Sequence, residues 1–162
     1  PLMIRNGKLL REGSKAASDP KCCCGCPPNC QNFPQRIDVT ITDWGVFSCR
    51  EDTYTMVRDG DLCIWQVKDN VLRTPNPCCF DTGITVNLDC VEINGEDHWA
   101  LNIHVSEVLD VGQPGCGVGG KVPTLVSHRP VKDSPSCPPL GEWTMTDLFP
   151  GCGIPTVVLA AA

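Results

Sequence analysis

The stretch Ile84-Thr85-Val86-Asn87-Leu88-Asp89-Cys90-Val91-Glu92-Ile93-Asn94-Gly95-Glu96-Asp97-His98-Trp99-Ala100-Leu101-Asn102-Ile103-His104-Val105 decides the fold class. Side chains alternate between faces along a strand, so Ile84, Val86, Leu88 and Cys90 share one face of a first strand. Trp99, Leu101, Ile103 and Val105 share one face of a second. Between them stands Asn94-Gly95, the strongest two-residue hairpin signal, because both central positions of that turn need positive φ. A two-residue turn sets Cys90 opposite Trp99, Leu88 opposite Leu101, Val86 opposite Ile103 and Ile84 opposite Val105. It also sets Glu92 opposite Asp97, a like-charge cost. A four-residue loop, Asn94 to Asp97, removes that clash and keeps the same inward faces, so both loops stay open here. Either way Ile84, Val86, Leu88, Leu101, Ile103 and Val105 form a buried face, with Asn87, Asn102 and His104 on the other.

The same alternation recurs upstream. Arg36-Ile37-Asp38-Val39-Thr40-Ile41-Thr42 reads as a half-buried strand. Residues 54–58 and 61–67 flank Asp59-Gly60 and read as another hairpin. A two-residue turn there places Arg58 opposite Asp61, Val57 opposite Leu62, Met56 opposite Cys63 and Tyr54 opposite Trp65, pairing opposite charges and aromatics. Downstream the pattern loosens into two echoes. Pro114-Gly115-Cys116-Gly117-Val118 leads to Pro123-Thr124-Leu125-Val126, as Pro150-Gly151-Cys152-Gly153-Ile154 leads to Pro155-Thr156-Val157-Val158. Ser48-Cys49 with Tyr54-Thr55-Met56 matches Ser136-Cys137 with Trp143-Thr144-Met145. Both suggest a reused turn-plus-strand unit.

Composition agrees with short strands and turns. Glycine and proline number 15 each among 162 residues, too many for a helical protein. The expected fold is all-β, an antiparallel sandwich or barrel of seven to nine short strands, with an N-terminal arm and disulfide-rich loops. Its parts are an arm at 1–20, a cysteine-rich knot at 21–35 and a β domain at 36–162. The net charge of −6 speaks against non-specific nucleic-acid binding, which needs a basic face. No stretch approaches the 18 apolar residues or so of a membrane-spanning helix. Residues 1–8 lack the pattern of a signal peptide. No Asn-x-Ser/Thr sequon occurs, which tilts against a eukaryotic secreted glycoprotein.

There are thirteen cysteines, an odd count that leaves at least one free, metal-bound or paired with another chain. Cys22 to Cys30 holds five of them and belongs to no regular element. Cys23, Cys24, Cys26 and Cys30 are the one candidate metal cluster. No second C-x-x-C knuckle completes a structural zinc site, so disulfides are the leading expectation. Adjacent cysteines such as Cys78 and Cys79 should reach different partners.

Catalytic chemistry finds little support. A cysteine nucleophile needs a nearby histidine, and only His98, His104 and His128 exist. His98 and His104 share a strand face about 20 Å apart at ~3.3 Å per residue, too far to share a metal ion, and read as surface residues. No G-x-S-x-G elbow is present. Gly115–Gly120 lacks the strand and helix of a phosphate loop and reads as a linker. No loop matches calcium-ligand spacing. The expectation is no enzyme and no cofactor. Trp65 and Trp99 lie on apolar faces and read as core. Trp44 and Trp143 stand in less regular segments and are candidate contact anchors.

The opening hairpin Ile4-Arg5-Asn6-Gly7-Lys8-Leu9-Leu10 running into Cys22-Cys23-Cys24-Gly25-Cys26, with the (Tyr/Trp)-Thr-Met strand starts after Cys49 and Cys137, resembles virion-associated structural proteins of tailed bacteriophages. The resemblance covers the first 30 residues and scattered body positions, and no binding residue carries over from it. It implies an extracellular particle and anchoring by an arm. It also implies a capsid cement or decoration role first and a tail, neck or fibre component second. Leu2, Ile4, Leu9 and Leu10 are the assembly residues of that arm, since a two-stranded ribbon cannot bury them. The expected partners are protein subunits of the particle in a homo-oligomer, a trimer favoured, with neither nucleic acid nor membrane. The alternative is a secreted disulfide-rich binding module or inhibitor.

Overall fold

The computed structural model describes residues 25–71, 82–107, 123–134, 136–148 and 153–162. The arm at 1–20, Cys78, Cys79 and the Gly115–Gly120 linker lie outside the described residues. Among the described residues nine strands follow in chain order: β1 Arg36–Thr42, β2 Asp52–Arg58, β3 Ile64–Asp69, β4 Thr82–Ile93, β5 Glu96–Glu107, β6 Thr124–Pro130, β7 Gly141–Trp143, β8 Thr146–Asp147 and β9 Thr156–Ala161. Short 3-10 turns at Gly45–Arg50 and Val131–Asp133 are the helical elements among the described residues. The fold is all-β. One antiparallel sheet runs in the order β7-β9-β1-β2-β3-β4-β5-β6-β8. Most strands are short as expected, but β4 and β5 run to 12 residues each.

The sheet curls until its margins meet. β7 and β8 are opposite margins, yet only Thr144 and Met145 separate them in the chain. Three residue steps span at most about 11 Å. Residues 141–147 therefore act as one broken strand, pairing first with β9 and then with β6. Arg129 of β6 lies 4.1 Å from the Trp143 ring centroid and donates to the Glu142 carbonyl, locking the seam. The Pro-Thr echo has a counterpart here. β6 and β9 each follow a buried proline, Pro123 and Pro155, and flank this broken strand from either side.

The interior is filled by side chains, as eight-stave barrels are. Ile84, Val86, Leu88, Leu101, Ile103 and Val105 are fully buried, while Asn87 and Asn102 are half-buried on the opposite face and His104 is exposed. Asn94 (φ 52°) and Gly95 (φ 80°) form the two-residue turn, with Ile93 paired to Glu96. Glu92 does oppose Asp97. Asp97 is engaged elsewhere, accepting the Cys26 N–H at 2.8 Å.

Two expectations need correction. The β2–β3 hairpin pairs Val57 with Gln66 and Arg58 with Trp65, not Arg58 with Asp61. A shift by an even number of residues keeps every inward face, so alternation could not detect it. The connection is longer than two residues: the Asp59 N–H donates to the Ile64 carbonyl at 2.9 Å and the Leu62 N–H to the Asp59 carbonyl at 3.0 Å. The Arg58 side chain points inward, and its guanidinium donates to the carbonyls of Cys30 and Phe33, the latter at 2.6 Å. Trp44 and Trp143 are not surface anchors: each is 1% exposed. Trp44 packs on Phe47 at 5.5 Å and donates to the Gly153 carbonyl at 3.3 Å. Trp143 donates to the Pro139 carbonyl at 3.3 Å. Their indoles are spent inside the barrel.

Candidate interaction surface

The segment after Gly25 is a strap stapled to one end of the barrel. Cys26 is bridged to Cys90 on β4, and Cys30 to Cys63 at the foot of β3. Both bridges run to the β domain, not within the segment. Of the four cysteines of the candidate metal cluster, Cys26 and Cys30 are in disulfides, the leading expectation, while Cys23 and Cys24 lie outside the described residues. All five cysteines whose side chains are described, Cys137 included, are disulfide-bonded. Among the described residues, no group of three potential ligands could hold a metal ion.

Hydrogen bonds complete the staple. Arg58 also donates Nε–H to the Gly60 carbonyl at 2.8 Å and reaches Gln35 Oε1 at 3.2 Å. Trp65 donates to the Pro34 carbonyl at 2.8 Å, and the Cys30 N–H to the Asp61 carbonyl at 2.8 Å. Gly25 lies so close to Asp97 that a Cβ there would stand 2.6 Å from Oδ2. A larger residue there would require the Asp97 carboxylate to move, at the cost of its hydrogen bond from Cys26 N–H.

Carboxylates gather at the same end. Asp59, Asp61, Glu92 and Asp133 are exposed, and Asp97 is half-buried. Glu96 pairs with Lys132 at 2.7 Å; that hydrogen bond lowers the Glu96 pKa and raises that of Lys132. On the outer wall beside it, His98 and His128 stand edge to face at 6.4 Å. Near them Asp89 faces Ala100 across the β4–β5 pair, and Ala100 faces His128. Burial raises the Asp89 pKa, nearby His128 opposes the shift, and the buried Oδ1 has no hydrogen-bond partner.

The opposite wall, formed by β9, β1 and β2, has a different texture. Thr40 and Thr53 share a hydrogen bond at 3.0 Å, and Thr55 donates to Asp38 at 2.6 Å. Thr42, Val57, Val158 and Ala160 are exposed around them.

The sequence reading missed the buried arginines. Arg58 shares the alternating face of Tyr54 and Met56, so period two alone would have pointed it inward. Arg50, fully buried and paired with Asp69 at 3.2 Å, sits in a 3-10 turn where no such period exists. Comparison with protein-family models, with curated proteins and with solved structures finds no match.

Proposed function

We propose that this protein is a structural component of a larger particle that stabilises it by clamping neighbouring subunits. A virion capsid cement or decoration protein is the first form of this reading, and a tail, neck or fibre component the second. The observation that supports it is how the N-terminal segment joins the body. Cys26–Cys90 and Cys30–Cys63 tie the strap to β4 and the foot of β3, and Arg58 grips the carbonyls of Cys30 and Phe33. Tension on residues 1–24 is therefore delivered to the middle of the sheet. A clamp needs such an anchorage. Leu2, Ile4, Leu9 and Leu10 supply apolar contacts, each worth ~1.5–3 kcal/mol when fully buried. A homo-oligomer follows, a trimer if the protein sits at threefold positions.

Deletion of residues 2–20 tests the reading. The truncated body should keep its cooperative melting while losing attachment to the particle. Normal attachment of the truncated protein would sink it. The disulfides equally favour a second reading, a secreted binding module or inhibitor. Mass spectrometry of intact particles and of secreted material, run without reduction, separates the two by where the bridged protein is found.

A further inference from the structure

Two bridges fasten the strap, and its two halves are held very differently. Residues 30–35 form the inner half. Cys30 is 1% exposed and belongs to the core. Its N–H donates to the Asp61 carbonyl at 2.8 Å, and Trp65 donates to the Pro34 carbonyl at 2.8 Å. The Arg58 N–H donates to the Gln35 carbonyl at 2.8 Å, and the Arg58 guanidinium holds the carbonyls of Cys30 and Phe33. The inner half is thus bonded to the barrel at several points besides its disulfide.

Residues 25–29 form the outer half. Pro28 and Asn29 are exposed, and Gly25, Cys26 and Pro27 are half-buried. Among the described residues, its bonds to the barrel are the Cys26–Cys90 bridge and the hydrogen bond from the Cys26 N–H to Asp97 at 2.8 Å. Cys26 and Cys90 are both half-buried, so neither end of this bridge is sealed in the core. The second bridge is shielded at both ends. Cys30 is buried, and the Pro27 carbonyl oxygen stands 3.7 Å from the Sγ of half-buried Cys63. The outer half of the strap therefore lies against the more accessible sulfur of Cys30–Cys63.

We propose that the strap is a two-stage redox latch, in which Cys26–Cys90 is reduced first and its opening uncovers Cys30–Cys63. The reductant is an external dithiol. One of its thiolates attacks a sulfur of Cys26–Cys90 and breaks the S–S bond, giving a mixed disulfide and one protein thiolate. The second thiol of the reductant then displaces the other protein sulfur. The reductant leaves as its own disulfide, and two electrons and two protons end on Cys26 and Cys90. The rate of such exchange depends on access to the attacked sulfur, which favours the outer bridge. Once it is open, residues 25–29 swing about Cys30 and Pro27 leaves Cys63. The point where the chain leaves the barrel moves from Cys26 to Cys30, four residue steps that add at most about 14 Å of reach. An oxidising medium fixes the exit at the β4–β5 hairpin, and a thiol-rich one lets it out by that length. The latch does not depend on the clamp reading; a clamp would be slackened by it.

Graded reduction of the full oxidised chain with dithiothreitol, stopped by alkylation and read by peptide mass spectrometry, tests it. Cys26 and Cys90 should be alkylated while Cys30 and Cys63 are still bridged. Loss of Cys30–Cys63 should show a lag that matches the opening of Cys26–Cys90. In a C26S/C90S variant that lag should vanish, and Cys30–Cys63 should be reduced several-fold faster than in the parent at the same dithiothreitol concentration. Amide protection of β4 and β5 in the variant should match the parent, which separates uncovering from unfolding. The lag is read in the parent alone, so a variant that fails to fold leaves the test standing. Cys30–Cys63 opening first, opening without a lag, or opening at equal rates in parent and folded variant overturns the latch.

Discussion

Trp65 and Trp99 are neighbouring buried indoles, with ring centroids 6.1 Å apart, but their N–H groups differ. Trp65 donates to Pro34, which ties the strap to β3, whereas Trp99 Nε1 is buried without a partner. Replacement by phenylalanine removes similar volume at both sites. Only at Trp65 does it also break a hydrogen bond, so W65F should cost about 1 kcal/mol more than W99F in urea unfolding. Equal losses would mean that the Trp65 bond contributes nothing. Asp89 gives a pH signature. Its folded-state pKa is raised by burial, so the folded state holds the proton to higher pH than the unfolded chain does. Stability from this group is present below the unfolded pKa and falls as pH rises through the folded one. D89N should therefore stabilise the protein at neutral pH, with the advantage vanishing below about pH 4. A thermal-shift series across that range checks it, and a pH-independent difference would show that Asp89 ionisation is not the cause.

At the scale of the element, the β4–β5 hairpin rests on a turn with two positive φ angles, one of them at Gly95. An alanine there faces no steric neighbour within 4 Å but adopts a strained backbone, so G95A should cost about 1–2 kcal/mol in chemical denaturation. A loss near zero would mean that the turn relaxes to another type. The strap depends on its bridges. Cys30–Cys63 spans 33 residues, and closing such a loop is worth about 2–4 kcal/mol. The C30S/C63S protein should melt lower, with faster amide exchange at residues 30–35, while β4 and β5 keep their protection. Uniform loss across the sheet would mean that strap and barrel unfold together.

At the scale of the whole molecule, the described residues form a curled sheet closed by one broken strand and stapled at one end by two disulfides. Alternation along β1, β4 and β5 determined the fold class and the inward faces, because side-chain direction in a strand is a local property of period two. Asn94-Gly95 likewise encoded its own turn, since positive φ is a matter of which residues tolerate it. The abundance of cysteine, glycine and proline announced disulfide-rich loops. What alternation could not reach was any pairing whose alternatives share parity. The β2–β3 register is such a pairing, and its longer connection is held by turn hydrogen bonds and by the Cys30–Cys63 bridge to a strap distant in sequence. The bridges of Cys26 and Cys30 were equally undetermined, because disulfide connectivity depends on which Cα atoms the fold brings within reach. The closure by residues 141–147, and with it the burial of Trp44 and Trp143, arises only when the sheet has curled far enough for its margins to meet. These are long-range contacts, and their energy belongs to no local stretch of the chain.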